Sequence, residues 1–225
     1  MSERGVRRRR FDTAHLWVTT VTGLVALAIS LYNFATLQRT PEIDVHLPHL
    51  VRIEPRAPGN SVHVFLQPTI STRIRTEDVE VVTDARLELK PADPGVPTPA
   101  FYWNESGAWI YDFDANQVNY NRVADPTPLV VSQDKPQQPT ILFHAQDWAF
   151  RKGRYTGSLV LQRASSGTPV TKRFCIEVSD AALKTFSQAP ERAFFELRND
   201  VPGPGPGPGP GPGKKPAASD CYSFH

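Results

Sequence analysis

An uninterrupted apolar stretch near the N-terminus constrains this chain more than any other feature. Residues 13–38 contain no Asp, Glu, Lys or Arg, and their centre is rich in Leu, Val, Ala and Ile. In a helix, about 20 such residues match the ~30 Å hydrocarbon core of a bilayer. A helix satisfies its own backbone hydrogen bonds in lipid, so the few threonines and the glycine of this stretch are tolerated there. The sequence therefore predicts one transmembrane helix over residues 14–37, with the lipid bilayer as its partner.

The residues that flank this stretch predict its orientation. Five arginines lie within residues 1–13, whereas Arg39 alone follows the stretch closely. Positively charged flanks stay on the cytoplasmic side, so residues 1–13 are expected to form a basic cytoplasmic tip. Trp17 and Tyr32 lie near the two ends, where interfacial aromatic residues gather. We therefore predict a single-pass signal anchor in the cell membrane, with the C-terminal part of the chain extracytoplasmic.

Two other interpretations export the same part of the chain. Residues 26–28 read Ala-Leu-Ala after a basic and an apolar region, which is the pattern of a cleavable signal peptide. Residues 8–11 resemble the start of a twin-arginine signal, although Asp12 replaces the expected apolar residue. The apolar stretch continues to Leu37, which favours an uncleaved anchor. A buried core helix is the remaining alternative.

The distribution of charge argues against nucleic acid as a partner. The sequence pI is about 8.6, but five arginines against two acidic residues give residues 1–13 a net charge of +3. Residues 41–200 hold 17 basic and 20 acidic side chains, a net charge of −3. The basic character therefore belongs to the tip beside the apolar stretch. A mean hydropathy of −0.36 also excludes a protein with many membrane spans.

Residues 41–198 alternate in polarity as β-strands do. Prolines recur throughout, and an interior proline costs a helix about 3 kcal/mol, which excludes a helical bundle. In residues 79–90 the odd positions are mostly apolar and the even positions mostly charged, which predicts a strand with its odd positions facing a core. The same alternation predicts a hairpin of residues 154–161 and 170–178. A second hairpin is predicted from residues 101–103 and 108–113, with its turn at 104–107. Shorter apolar segments predict weaker strands at 50–53, 62–66, 129–131 and 141–145.

This number of strands, separated by turns rich in Pro, Gly, Asp and Asn, predicts a mainly β fold, an antiparallel β-sandwich over residues 41–198. The strand count resembles the architecture of immunoglobulin and fibronectin type III domains, without the cysteine–tryptophan–cysteine spacing of true immunoglobulin domains. Residues 180–187 predict a short helix with Ser179 as its N-cap. Six Pro-Gly dipeptides at 202–213 have the wrong period for a collagen helix and cannot form a core. We therefore expect residues 199–225 to be a disordered tail.

Four aromatic side chains are candidates for ligand binding: Tyr102, Trp103, Trp109 and Trp148. Exposed rings on a sandwich can stack on sugar rings, as they do in carbohydrate-binding modules. A core role is the favoured alternative. Trp103 and Phe101 are two positions apart, and Trp109 and Phe113 are four apart, so each pair points to one face of a strand, as core-facing rings do. His63 and His144 stand alone and are expected to be surface or core histidines.

Three oxygen-bearing side chains match the start of a calcium loop, D-x-D-x-N: Asp112, Asp114 and Asn116. Gln117 and Val123 occupy the positions where an EF-hand needs glycine and glutamate. The favoured interpretation is a polar turn that these side chains cap, and a looser calcium site is the alternative.

The chain has two cysteines, Cys175 and Cys221. Outside the cytoplasm they would meet oxidising conditions, so a disulfide between them is one expectation. Free thiols or an intermolecular bridge are the alternatives. No histidine neighbours Cys175 in the sequence, which argues against a catalytic thiol.

The sequence lacks the motifs of serine hydrolases, metalloproteases, P-loop enzymes and dinucleotide-binding enzymes. Its acidic residues alternate on faces expected to be solvated, so no carboxylate pair stands out for acid–base catalysis. We therefore expect a non-enzymatic protein without a cofactor, which interacts with another protein or contributes to cell-envelope structure. The alternative is a carbohydrate- or envelope-polymer-binding module.

Overall fold

The computed structural model describes residues 3–38, 41–56, 60–73, 79–132, 134–188, 194–201 and 221–224. It begins with a long helix, α1 (Glu3–Leu37). Within α1, the segment Trp17–Leu37 is long and apolar enough to cross a membrane, with a hydropathy of 1.6. No part of that hydrophobic segment is buried in the structure. The side chains of this segment therefore do not form part of a protein core, which excludes the core-helix alternative.

The rest of the described chain is mainly β, as predicted. Its strands are β1 (Ile43–His46), β2 (Leu50–Arg56), β3 (Ser61–Leu66), β4 (Thr69–Thr72), β5 (Glu80–Pro91), β6 (Tyr102–Asp112), β7 (Gln117–Ala124), β8 (Leu129–Val131), β9 (Thr140–Ala145), β10 (Gly153–Arg163), β11 (Val170–Val178), β12 (Phe195–Arg198) and β13 (Cys221–Phe224). A second helix, α2 (Asp180–Gln188), lies between β11 and β12 in the chain.

Eleven of these strands form one large sheet in the order β7-β6-β9-β3-β2-β12-β13-β11-β10-β5-β8, and β1 pairs with β4 apart from it. The sheet curls, so that β5 and β6 approach each other although they lie near opposite ends of the strand order. Strands β11 and β13 run parallel. The prediction of a purely antiparallel arrangement is therefore wrong for this pair.

The core lies on the inner face of the curled sheet. The predicted hairpin of β10 and β11 is confirmed, with its alternate apolar positions buried. Each fully buried large apolar side chain contributes roughly 1.5–3 kcal/mol. The largest apolar side chains of the core include Ile53, Leu66, Leu87, Leu89, Ile141, Phe143, Leu159, Leu161 and Ile176.

The alternation predicted for residues 79–90 holds only from Ala85 onward. Before that point the faces are reversed, because Val79 is exposed and Glu80 is buried. The register between β5 and β10 shifts between Gln162 and Arg163. Such a bulge changes which face the residues before it occupy. The alternation of polar and apolar residues in the sequence does not predict this bulge.

The buried Glu80 carboxylate holds the loop between β10 and β11. It accepts hydrogen bonds from the backbone N–H of Val81 at 3.0 Å and of Ser165 at 3.2 Å, and from the Ser165 hydroxyl. Arg163 lies 3.9 Å from the same carboxylate. These partners compensate the cost of burying a charged group.

The hairpin predicted around residues 104–107 is wrong. Residues 102–112 form the single strand β6, whose register with β9 shifts between Trp103 and Glu105. Strand β6 turns instead at residues 113–116 and pairs with β7. The residues that suggested a turn lie at a bulge, and the two features favour similar amino acids.

The short helix α2 is confirmed, and it begins at the predicted cap. The backbone N–H of Ala182 donates to Oγ of Ser179 at 3.1 Å. The ring of Phe186 packs on that of Phe195 with centroids 4.6 Å apart. This contact joins α2 to β12.

The prediction of a disordered tail over residues 199–225 is wrong for β13, which occupies the sheet between β12 and β11. Tyr222 is fully buried, and its hydroxyl donates to the carbonyl of Pro48. A disulfide joins Cys221 to Cys175, its partner in the register of β11. The Pro-Gly repeat at 202–213 lies outside the described residues.

Replacing both Cys175 and Cys221 with serine is expected to lower the free energy of unfolding by about 2–4 kcal/mol, because a disulfide restricts the unfolded chain. Urea unfolding of the full chain in detergent micelles, followed by tryptophan fluorescence, measures this difference. Reductant should destabilise the wild type by the same amount and leave the double variant unchanged. Equal stability of the oxidised wild type and the variant would contradict a structural role for the bridge.

Candidate ligand-binding site

Four polar side chains align across four neighbouring strands. Glu54 on β2 is opposite His63 on β3. His63 is opposite His144 on β9, which is in turn opposite Tyr102 on β6. Directly opposed residues of a sheet point to the same face. We call this set of four the polar row.

The polar row contains one buried hydrogen bond between a carboxylate and an imidazole. Glu54 is only 2% exposed, and its Oε2 lies 2.9 Å from Nδ1 of His63. When Glu54 is ionised it can only accept, and the hydrogen of this bond then lies on Nδ1 of His63. The rings of His63 and His144 lie 4.8 Å apart, and those of His144 and Tyr102 lie 5.3 Å apart.

A second row lies beside the polar row. Arg52 on β2 is opposite Phe65 on β3, which is opposite Leu142 on β9. Leu142 is opposite Glu105 on β6. In regular alternation Glu105 would point away from Tyr102, because the two positions differ by three. The bulge between Trp103 and Glu105 brings both to one face.

The two rows border an open cavity of about 470 Å³. This volume falls in the range of small-molecule sites. The wall combines carboxylate, imidazole, amide and phenol groups with apolar rings. Its lining residues are Glu54, His63, Phe65, Tyr102, Asn104, Glu105, Tyr120, Leu142, His144 and Phe194.

Aromatic rings form one side of this cavity. Tyr120, Trp109 and Phe194 surround Phe65, with centroid distances of 4.8, 5.1 and 5.3 Å. The Arg52 guanidinium lies 4.4 Å from the centre of the Trp109 ring. Such edge-to-face and cation–π contacts fix the rings in place. The wall is therefore rigid rather than a set of loose side chains.

The Tyr120 hydroxyl is a buried polar atom in this wall. Its neighbouring polar group is the Glu105 carboxylate. Burial first, and then the charge of Glu105 and hydrogen bonding to it, raise the pKa of Tyr120 well above its usual value. The phenol therefore keeps its proton at neutral pH and can donate a hydrogen bond.

The structure separates the four aromatic candidates. Trp103 and Trp148 are buried in the core, and Nε1–H of Trp148 donates to the carbonyl of Pro97 at 3.0 Å. Tyr102 lines the cavity and is 50% exposed. Trp109 lies behind the wall, against Phe65. Of the four, Tyr102 alone is therefore placed to touch a ligand directly.

Asp112, Asp114 and Asn116 lie at the turn between β6 and β7. Oδ1 of Asp112 accepts hydrogen bonds from the backbone N–H groups of Asp114 and Ala115, both at 3.0 Å. Asn116 has a φ of 50°, which suits a tight turn. Across the described ranges there is no group of three or more His, Cys, Asp or Glu side chains that could hold a metal. This segment has the geometry of the polar turn that we favoured.

Phe113, in the same turn, is not the core residue that alternation along this segment predicted. Its ring is 85% exposed, so the core role that parity favoured for this part of β6 does not extend to it. The ring contacts only the edge of Tyr111 among the ring pairs of the described residues, at 4.8 Å. This hairpin lies at the edge of the sheet, where β7 has no buried residue, and alternation there does not separate core from solvent.

Sequence reasoning missed the polar row. His63 and His144 were each expected to act alone, and Glu54 was not singled out. The one local signal is that each of the three polar residues lies inside or directly beside a strongly apolar run. A polar residue in such a run needs a buried partner. The sequence does not show which strands are neighbours.

Replacing Glu54 with alanine is expected to lower the free energy of unfolding by about 1–3 kcal/mol, because His63 loses the acceptor of a buried hydrogen bond. Glu54→Gln retains an acceptor and should cost less. Glu88, an exposed glutamate of β5, supplies the matched control, since Glu88→Ala should change stability by less than about 0.5 kcal/mol. Urea unfolding of the full chain in detergent measures all three, and equal losses for both alanine variants would contradict the prediction.

Comparison with known proteins identifies no family for this chain. No family model and no curated protein match the sequence. Among solved structures, the chain is similar to a family 123 glycoside hydrolase from Clostridium perfringens, described in a study of glycolipid glycan hydrolysis, with 11% identity and a TM-score of 0.30. The match covers 52% of this chain and 21% of that one, so this chain spans about a fifth of the other's length. A likeness this low carries no argument about function.

Proposed function

We propose that this chain is a single-pass membrane protein whose β domain lies outside the cytoplasm and binds a saccharide unit of an envelope polymer. The observation that carries the proposal is the open cavity in which the polar row meets a rigid aromatic wall. Binding rather than catalysis is proposed, and no cofactor is required. In this proposal the curled sheet acts as a β-sandwich-like support for the cavity.

The anchor and the disulfide support the proposed location. The Trp17–Leu37 segment is long enough to span a bilayer, and arginines are concentrated before it. This charge asymmetry favours a cytoplasmic N-terminus. The bond between Cys175 and Cys221 suits an oxidising compartment. These independent features agree on an extracytoplasmic β domain.

The chemistry of the cavity supports a saccharide as ligand. A sugar ring has an apolar face that packs on aromatic rings, and it has hydroxyl groups that both donate and accept hydrogen bonds. The half-exposed ring of Tyr102 offers such a face at the cavity wall. Asn104 and His144 offer polar groups beside it. Few, well-placed polar groups in a mostly preformed pocket are typical of ligand sites.

The state of the carboxylates supports binding rather than hydrolysis. Glu54 is hydrogen-bonded to His63, and Glu105 faces Arg122, with 3.4 Å between Oε2 and Nε. Most glycoside hydrolases use one carboxylic acid as proton donor and one carboxylate as nucleophile or base. Here each carboxylate is paired with a basic side chain, and this pairing is the observation that supports binding rather than hydrolysis.

Interaction with another protein is a second candidate, favoured by apolar side chains around the β6–β7 hairpin. Ile110, Phe113 and Val123 are exposed there. β7 is also an edge strand of the sheet, with one side unpaired in the described structure. Edge strands can accept a further strand from a partner. Retention of one specific protein after crosslinking in membranes would support this candidate.

Replacing Tyr102 with alanine is expected to weaken saccharide binding about tenfold, which corresponds to ~1.4 kcal/mol of lost stacking. Tyr111 is the matched control, because it lies on the same strand and is 45% exposed, against 50% for Tyr102, but does not line the cavity. Titration calorimetry of the full chain in detergent with oligosaccharides of glucose and N-acetylglucosamine measures both variants. Absence of binding by the wild type, or equal losses in both variants, would contradict the proposal.

The proposed topology predicts that protease added to intact cells without their wall degrades the β domain and leaves α1 protected. The physical reason is that an intact membrane keeps the protease away from the spanning helix and from the cytoplasmic tip with its N-terminal tag, whereas the extracytoplasmic domain is accessible. Immunoblotting with tags at both ends measures which end survives, and a cytoplasmic protein serves as the control for intact membranes. A C-terminal tag that stays protected until detergent is added would contradict the topology.

A further inference from the structure

The cavity beside the polar row is acidic. Two carboxylates, those of Glu54 and Glu105, contribute to its lining, and none of the described lining residues is Lys or Arg. Two arginines lie behind the wall. Arg52 bonds Glu196 at 2.8 Å, and Arg122 bonds Asp125. Three carboxylates, those of Glu105, Asp125 and Glu196, pair with the two guanidinium groups, and Glu54 pairs with His63 instead. Carboxylates therefore outnumber guanidinium groups around the cavity by four to two.

Glu105 is the carboxylate best placed to meet a ligand. The bulge in β6 turns it to the cavity face, where its side chain is 18% exposed. Its separation of 3.4 Å from Arg122 exceeds the 2.7–3.2 Å or so of a good N–H···O hydrogen bond. An ionised carboxylate has about four acceptor positions. Glu105 therefore keeps acceptor capacity that a donor on the ligand can use.

The aromatic wall, like the carboxylates, attracts a positively charged group. The faces of aromatic rings are negative, and cations bind over them. The rings of Phe65, Tyr102 and Tyr120 line the same cavity as Glu105. The amide of Asn104 in the same lining can donate to or accept from a ligand hydroxyl. The wall thus suits a ligand with both a cationic group and hydroxyl groups.

From the acidic lining, the placement of Glu105 and the aromatic faces, we infer that the cavity prefers a saccharide that carries a protonated amino group. Glu105 accepts a hydrogen bond from the ammonium, and the sugar ring lies against Tyr102. This inference rests on the proposed function and names the class of sugar that the same site takes. Anionic sugars are disfavoured, because a second negative charge would lie beside Glu105 in a partly desolvated site.

The test uses three sugars that differ at one group only. They are glucose, the derivative in which its terminal hydroxymethyl group is an aminomethyl group, and glucuronic acid, in which it is a carboxylate. At about pH 7.5 the amine is protonated, because alkyl amines titrate near 10. Titration calorimetry of the full chain in detergent should show the amine bound about tenfold more tightly than glucose, since charge-assisted hydrogen bonds are stronger than neutral ones. Glucuronic acid should bind more weakly than glucose.

Glu105→Gln tests the assigned residue, because it removes the charge and keeps the shape. The preference for the amine over glucose should fall from about tenfold to about onefold. The control is Glu88→Gln, which alters an exposed glutamate on β5, away from the cavity, and should retain the full preference. Added salt should also reduce the preference in the wild type, because screening weakens attraction between exposed charges.

The outcomes distinguish this inference from the proposed function. Equal affinity for glucose and its amine, tighter binding of glucuronic acid, or an unchanged preference in Glu105→Gln would overturn the inference and leave saccharide binding intact. Failure of all three sugars to bind the wild type would overturn both. A preference for the amine that disappears in Glu105→Gln and persists in Glu88→Gln would support both.

Discussion

The register of the four neighbouring strands β6, β9, β3 and β2 is the constraint on which the candidate site depends. Once β3 is paired with β2 and β9, a buried carboxylate on β2 faces an imidazole on β3, and a second imidazole follows on β9. Burying Glu54 without a partner would cost several kcal/mol. Its hydrogen bond to His63 therefore stabilises the sheet in this register. A slip of one residue would move every side chain to the other face and leave Glu54 without its partner.

Two β-bulges decide whether an acidic side chain of this sheet faces the cavity or the interior. The bulge in β6 brings Glu105 to the face of the cavity, beside Tyr102. The bulge in β5 opposite Gln162 and Arg163 buries Glu80, where the Ser165 backbone and hydroxyl satisfy it. In both places one extra residue changes the face that an acidic side chain occupies. Bulges are thus the means by which this sheet combines a regular apolar core with an acidic site.

The end of the described chain belongs to the domain rather than to an appendage. Strand β13 fills the position between β12 and β11 and contributes the buried ring of Tyr222. Burial raises the pKa of Tyr222 to about 12, so its hydroxyl stays protonated and donates to Pro48. The disulfide to Cys175 fixes this strand covalently.

The sequence by itself determined the features that depend on near neighbours in the chain. The apolar helix, the mainly β class, the hairpin of β10 and β11, and the cap at Ser179 follow from composition, periodicity and local hydrogen bonding. Only the tertiary structure decided the cavity. Glu54 and His144 are far apart in sequence, and it is the pairing of β2, β3 and β9 that brings them to one row. Local alternation also cannot show a bulge, because its energy depends on the partner strand, so the place of Glu105 was fixed only by the folded sheet.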